Sequence, residues 1–214
     1  TLPQTEASIL SVAQINTIKS VFDQTNFTWN KAIELYVKGE KEAAFFALGH
    51  VIHLMEDMAV PDHTRNDAHP PYDDGGSPYE NWTGQFSLKN PDTDLSGRLA
   101  SKKPLILSDL NSYFDEMANY SNNNFYSKDS IKNYVLPEPD YFNSNGRYFY
   151  GFKKDSDGDY KIAVYTKKPS VDFVPWDIEL LPILVDKQGN LVLTDYWSRL
   201  SVKAVQHGAG VIDL

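Results

Sequence analysis

Five residues in one stretch of the chain have the types and spacing to hold a metal ion: His53, Asp57, His63, His69 and Glu80. His53 and Asp57 stand four apart in a largely apolar run, Ala43-Ala-Phe-Phe-Ala-Leu-Gly-His-Val-Ile-His53-Leu-Met-Glu-Asp57. On a helix, an imidazole and a carboxylate so placed share a face and can converge on one cation. His63 follows Pro61, where a turn can bring it back beside the helix end, and His69 and Glu80 come next. A lone His on an apolar helix is more often a satisfied core residue, and a His/Asp pair at this spacing is often only a hydrogen-bonded pair. Four of the chain's five histidines, however, lie between residues 50 and 69, which favours metal ligation. His50 falls on the same helix face, but nothing else marks it, and it is assigned a structural or supporting role.

These donors need a helix, a turn and a second helix to position them. Helical periodicity predicts helices over Ser8–Phe22, Thr28–Val37 and Glu40–Ala59. Gly39 breaks the second, and Pro61 ends the third near Val60 because the residue before a proline is pushed out of helical geometry. From Asp62 to Ser77 the Pro, Asp and Gly content predicts a loop, followed by helical stretches at Pro78–Phe86 and Leu105–Asn119. Tyr120–Ser127 reads as an Asn-rich linker. The pattern then changes: Arg147–Phe152 and Tyr160–Thr166 flank Asp155-Ser-Asp-Gly-Asp159 as a hairpin, and Leu181–Val185 with Leu191–Leu193 reads as another across Asp186–Asn190. Asp195–Leu214 reads as a closing helix, weakened by Gly208 and Gly210.

A chain of 214 residues, 41% hydrophobic and 13% aromatic, has enough apolar material for one core. Its formal net charge of −9 argues against double-stranded nucleic acid, whose phosphates need clustered Lys and Arg. An anionic substrate would instead need bound cations. With no cysteine, a metal must use His, Asp and Glu. No apolar run is long enough to span a membrane. The start at Thr1 suggests a processed or excised piece of a longer protein.

The stretch quoted above, continued through Pro61-Asp-His63-Thr-Arg-Asn66, resembles the zinc-dependent phospholipase C family, in which a helical His-x-x-x-Asp precedes a Pro-x-His turn and an Asn. Pro78-Tyr-Glu80-Asn-Trp82 is similar to the family's following Tyr-Glu segment, and Ala209-Gly-Val-Ile-Asp213 to its last helix. The resemblance implies a mainly α, phospholipase C-like helical domain, here with a β-hairpin-rich insertion at about 145–194. It implies one to three zinc ions. His53 and Asp57 would bind a zinc pair as the catalytic residues, with Asp57 bridging, and His63 and Glu80 would hold a further zinc. The activity implied is phosphodiester hydrolysis on phospholipid-like substrates, with peripheral membrane contact, in a secreted, periplasmic or cell-surface bacterial setting.

Two departures qualify that expectation. The family has a His four residues before the Glu, and Gly76 occupies that place here, so His69 must substitute. The family's other ligands precede the helix, yet before residue 50 this chain has no His and only one Asp, Asp23. The single domain, 1–214, is therefore expected to be incomplete at its N-terminus. Two further readings stand beside hydrolysis of phospholipids: a non-catalytic zinc-binding domain, and a nuclease-like phosphodiesterase acting on single strands.

Elsewhere, Asp155, Asp157 and Asp159 lack the Gly and Glu of a calcium loop and read as a solvated hairpin turn. His207 reads as structural, with no acidic residue near it in sequence. The abundant Tyr and Trp are ordinarily core residues. No nucleophile-elbow serine or glycine-rich phosphate loop is present.

Overall fold

The computed structural model describes residues 26–65, 67, 76–84, 95–127, 137–145, 148–167, 180–183 and 191–214. The expected helix Ser8–Phe22, His69, most of the turn-rich loop, Phe86, Arg147, Val185 and Asp186–Asn190 lie outside the described residues. By its internal contacts the chain divides into two units, Thr1–His53 and Leu54–Leu214. Among the described residues the architecture is mostly helical, with an antiparallel sheet late in the chain.

In the first unit, α1 (Trp29–Val37) starts where Thr28 Oγ1 accepts the Lys31 N–H at 3.3 Å. It stops at Gly39, whose φ of 86° is strained for any residue with a Cβ. The Gly39 N–H reaches Tyr36 O and the Glu40 N–H reaches Leu35 O, both at 3.0 Å, which satisfies the last carbonyls of the helix. α2 (Lys41–Asp57) begins in the first unit and ends in the second. Ala44, Ala47, Val51 and Met55 recur at helical spacing along it and are buried, whereas Phe45 and Phe46 are exposed. The helix is two residues shorter than predicted at its end. Met58 and Ala59 instead form a tight turn, closed by the Ala59 N–H on Glu56 O at 2.8 Å.

The second unit contains α3 (Pro61–Thr64), α4 (Pro78–Gly84), α5 (Leu95–Leu99), α6 (Leu110–Asn124) and α7 (Leu191–Asp213), with β1 (Tyr141–Asn145), β2 (Tyr148–Asp155), β3 (Gly158–Lys167) and β4 (Leu180–Ile183). α7 is its centre. Leu193, Tyr196, Leu200, Ala204, His207 and Val211 fall three or four apart, and all are buried. The helix packs against β3, α4, α5 and α6. It runs through both glycines, and Gly210 is where the backbone carbonyl of Leu105 comes close enough to exclude a side chain. The Leu105 N–H bonds Gln206 O at 3.0 Å, and Gln206 Nε2 donates to Lys103 O at 2.8 Å, so an extended segment lies along the helix.

Tyr196 joins α7 to the sheet. Its buried hydroxyl accepts the Tyr126 N–H at 3.0 Å and donates to Ile162 O at 2.7 Å, and its ring meets Phe125 edge-on at 4.7 Å. Burial holds the phenol well above its ordinary pKa, so it stays a neutral donor. Tyr196→Phe leaves a buried N–H and a buried carbonyl with weakened partners. It is expected to cost about 1–3 kcal/mol in urea unfolding, with the fold retained by circular dichroism.

The strands run β1-β2-β3-β4, each antiparallel to the next. β1, β2 and β3 form a meander, and the short β4 pairs along β3 from Val164↔Ile183 to Lys167↔Leu180. The expected first hairpin is present, with Asp155 paired to Gly158. Its acidic residues are engaged by the surrounding protein. Asp155 pairs with Arg199 at 2.8 Å, Asp157 with Lys102 at 2.6 Å, and Asp159 accepts from the Tyr141 hydroxyl at 2.7 Å. The Lys102 hydrogen bond holds the Asp157 carboxyl below its ordinary range.

Three sequence expectations are corrected. Leu191–Leu193 is not a strand: it opens α7, with Val192 and Leu193 buried four and three residues before the buried Tyr196, so among the described residues the sheet spans Tyr141–Ile183 and not 145–194. α6 begins at Leu110, not Leu105, because Asp109 Oδ1 accepts the Ser112 N–H at 3.0 Å and caps it there. Tyr120–Asn124 is helix and not linker. Ser121 is fully buried, and the Asn124 side-chain amide donates to Tyr120 O at 2.8 Å, covering a carbonyl of the last turn. Among the described residues, no helix is long and apolar enough to cross a membrane.

Candidate metal centre

His53, Asp57 and Glu80 lie on helices as expected, whereas His63, expected in a loop after Pro61, lies on a short helical turn. His53 and Asp57 are four residues apart on α2, His63 is on α3 and Glu80 is on α4, while His69 lies outside the described residues. His53 is exposed. At 100° per residue it falls roughly opposite the buried Ala44–Ala47–Val51–Met55 stripe.

The chain beyond α2 is shaped by Pro61. Val60 is held extended (φ −96°, ψ 114°), as a residue before proline must be, and Pro61 then starts a single helical turn. That turn folds His63 back, so that its Nδ1 lies 3.2 Å from the backbone oxygen of Asp57. A carbonyl oxygen can only accept, so Nδ1 carries the proton of this bond. The opposite ring nitrogen, Nε2, lies 3.5 Å from Glu80 Oε1. With Nδ1 protonated, Nε2 either offers a lone pair, which a cation or a proton donor shared with the Glu80 carboxylate can occupy, or carries a second N–H that makes an ion pair. The first case is how metal-binding histidines are commonly held: one nitrogen on a backbone carbonyl and the other on the metal.

Glu80 is delivered by the start of α4. Ser77 is the N-cap, Pro78 the first helical residue and Glu80 the third, the pattern of a capping box. The Glu80 N–H donates to Ser77 Oγ at 3.2 Å, and the Glu80 carboxylate is directed to His63. Ser77 Oγ in turn donates to Asp62 Oδ2 at 2.7 Å, within a pair of side chains that are almost wholly buried.

Arg65, fully buried, fastens the turn to the end of α6. Its Nη1 donates to Asn122 O at 2.6 Å, Asn122 Oδ1 at 3.1 Å and Phe125 O at 3.5 Å, taking carbonyls that the helix end leaves unpaired. The Thr64 hydroxyl adds a bond to Ser121 Oγ at 3.4 Å. Asp62, Arg65 and Ser77 are not among the donors that the sequence marks. Ser77 carries the Ser-Pro-x-Glu cap signature, whereas Asp62 and Arg65 show their roles only through burial.

His63 and Glu80 thus come together, with the Asp57 backbone behind them. Among the described residues no group of three or more His, Asp or Glu side chains is placed to hold one metal ion. The donor chemistry fits a borderline cation such as zinc, while the described ligand set provides a pair and not a closed shell.

The other histidines are occupied differently. His50 stacks on Phe27 at 4.3 Å and meets Phe46 edge-on at 5.0 Å. His207 is buried between Lys203 O, at 2.7 Å from Nδ1, and the Glu116 carboxylate on α6, an acidic partner distant in sequence. A cavity of about 830 Å³ in the first unit, lined by residues including Phe27, Lys31, Leu35 and Phe46, contains none of the candidate ligands. No protein-family model matches the chain, and comparison with curated proteins and with solved structures finds no significant match.

Proposed function

We propose that this chain is a zinc-binding domain of the phospholipase C type, hydrolysing phosphodiesters of phospholipid-like substrates outside the cytoplasm. The observation that carries the reading is the double engagement of His63, with Nδ1 on the Asp57 carbonyl and Nε2 toward Glu80. Asp57, His63 and Glu80 would contribute ligands, joined by His69. His53 enters through its spacing before Asp57 alone. Zinc bound there would supply Lewis acidity toward a phosphoryl oxygen and an activated water. The chain's own part is to fix the His63 tautomer, to hold Glu80 against it, and to leave both side chains partly exposed where a substrate can approach. In a chain of net charge −9, such a cation is also what would receive a phosphate.

The second reading is a non-catalytic zinc-binding domain, which a closed site of four protein ligands would distinguish from a catalytic site with an open position. A nuclease-like activity on single strands is the alternative substrate class. The experiment is hydrolysis of a short-chain phosphatidylcholine and of single-stranded DNA, each with zinc and with a chelator. Chelator-sensitive release of the phosphorylated headgroup is expected, reduced at least about tenfold in His63→Ala. Cleavage of DNA alone would transfer the reading to the nuclease class. Zinc binding without hydrolysis of either substrate would overturn the catalytic reading in favour of the structural one.

A further inference from the structure

We propose that Asp62 and Ser77 form a positioning pair that sets Glu80 against His63; the inference rests on the zinc-binding reading of this site. The Asp62 carboxylate is 1% exposed and follows Pro61 directly, next to His63 itself. It accepts the Ser77 hydroxyl proton at 2.7 Å, which leaves the Ser77 oxygen only as an acceptor, and that oxygen takes the Glu80 N–H at 3.2 Å. A hydroxyl donating to a carboxylate becomes a better acceptor, so the two bonds strengthen each other in a dry setting. The Asp62–Ser77 bond closes a span of 15 residues. His63 and Glu80 are therefore registered to each other through two adjacent buried groups, whatever path the chain takes between them. A cap needs only the Ser77 oxygen. The buried carboxylate beneath it is a second device, and it links the cap to the element carrying the other ligand.

The test is zinc affinity of the full chain, measured by competition with a chromophoric chelator, for wild type, Ser77→Gly, Ser77→Thr, Glu80→Ala and the double variant Ser77→Gly/Glu80→Ala. Glycine serves as an N-cap at a cost of only a few tenths of a kcal/mol, so Ser77→Gly removes the hydroxyl while keeping the helix start. Ser77→Gly is expected to weaken zinc binding about 10–100-fold, and Ser77→Thr, which keeps the hydroxyl, to restore it. In the Glu80→Ala background Ser77→Gly should produce no further loss, because Ser77 acts through Glu80. A merely structural role would lower unfolding stability equally in both backgrounds and leave zinc affinity unchanged. That outcome, with wild type binding zinc, overturns the positioning role alone, whereas a wild-type chain that binds no zinc overturns the site and the inference together.

Discussion

Gly210→Ala is expected to destabilise the second unit by about 3 kcal/mol or more, a fall in Tm of roughly 6–12 °C for a chain of this size. A Cβ at position 210 would stand 1.9 Å from the Leu105 carbonyl oxygen and 2.6 Å from Tyr113 Cε1. The oxygen belongs to backbone, which is held by the Leu105 N–H on Gln206 O and by the Tyr113 hydroxyl donating to Leu105 O at 3.1 Å. Admitting a methyl group therefore breaks bonds at both ends of the contact, and no flexible side chain can yield in its place. Gly49→Ala is the control: it is also helical but meets nothing within 4 Å, and should be neutral or gain up to about 1 kcal/mol from helix propensity. Urea unfolding of the two variants checks the pair, and equal stabilities would contradict the close approach of Leu105.

Arg65→Met is expected to lose about 2–4 kcal/mol, because the part-buried carbonyl of Asn122 and the buried carbonyl of Phe125 lose a charged donor while the volume of the side chain is kept. The C-terminal end of α6 also loses a cation that opposes its dipole. The effect should reach the candidate site, since Arg65 holds the turn that carries His63: Arg65→Met should weaken zinc binding as well as stability. Arg65→Lys should recover only part of the loss, because one ammonium cannot reproduce the fork of the guanidinium. A variant within about 0.5 kcal/mol of wild type would show that the turn is fastened by other contacts.

The elements that position the site were largely legible from local chemistry. Pro61 announces the end of α2, Gly39 the end of α1, and the Asp-Gly pair the β2–β3 turn, because each acts through its own backbone geometry. The failures arose where a distant partner decides. Leu191–Leu193 is apolar enough for either state and becomes helix because Val192 and Leu193 are buried in line with Tyr196 and Leu200, three or four residues apart. Tyr120–Asn124 looked like a polar linker, yet Arg65 and a buried Ser121 make helix the satisfied state there. The pairing of His63 with Glu80 could be anticipated only as a shared ligand set, since the Asp62–Ser77 link that registers them leaves no periodic mark. Likewise, His207 has its acidic partner on another helix, 91 residues away in the chain.

The proposed zinc site lies in the turn between α2 and α4. It is tested most directly by equilibrating the full chain with zinc, removing unbound metal, and measuring bound zinc per chain for wild type, His63→Ala and Glu80→Ala, with folding of each confirmed by circular dichroism. At least one zinc per wild-type chain is expected, with loss of that ion in His63→Ala and markedly weaker retention in Glu80→Ala, both variants remaining folded. A folded wild-type chain that retains no zinc, or one whose zinc is unchanged in both variants, would contradict the proposed site.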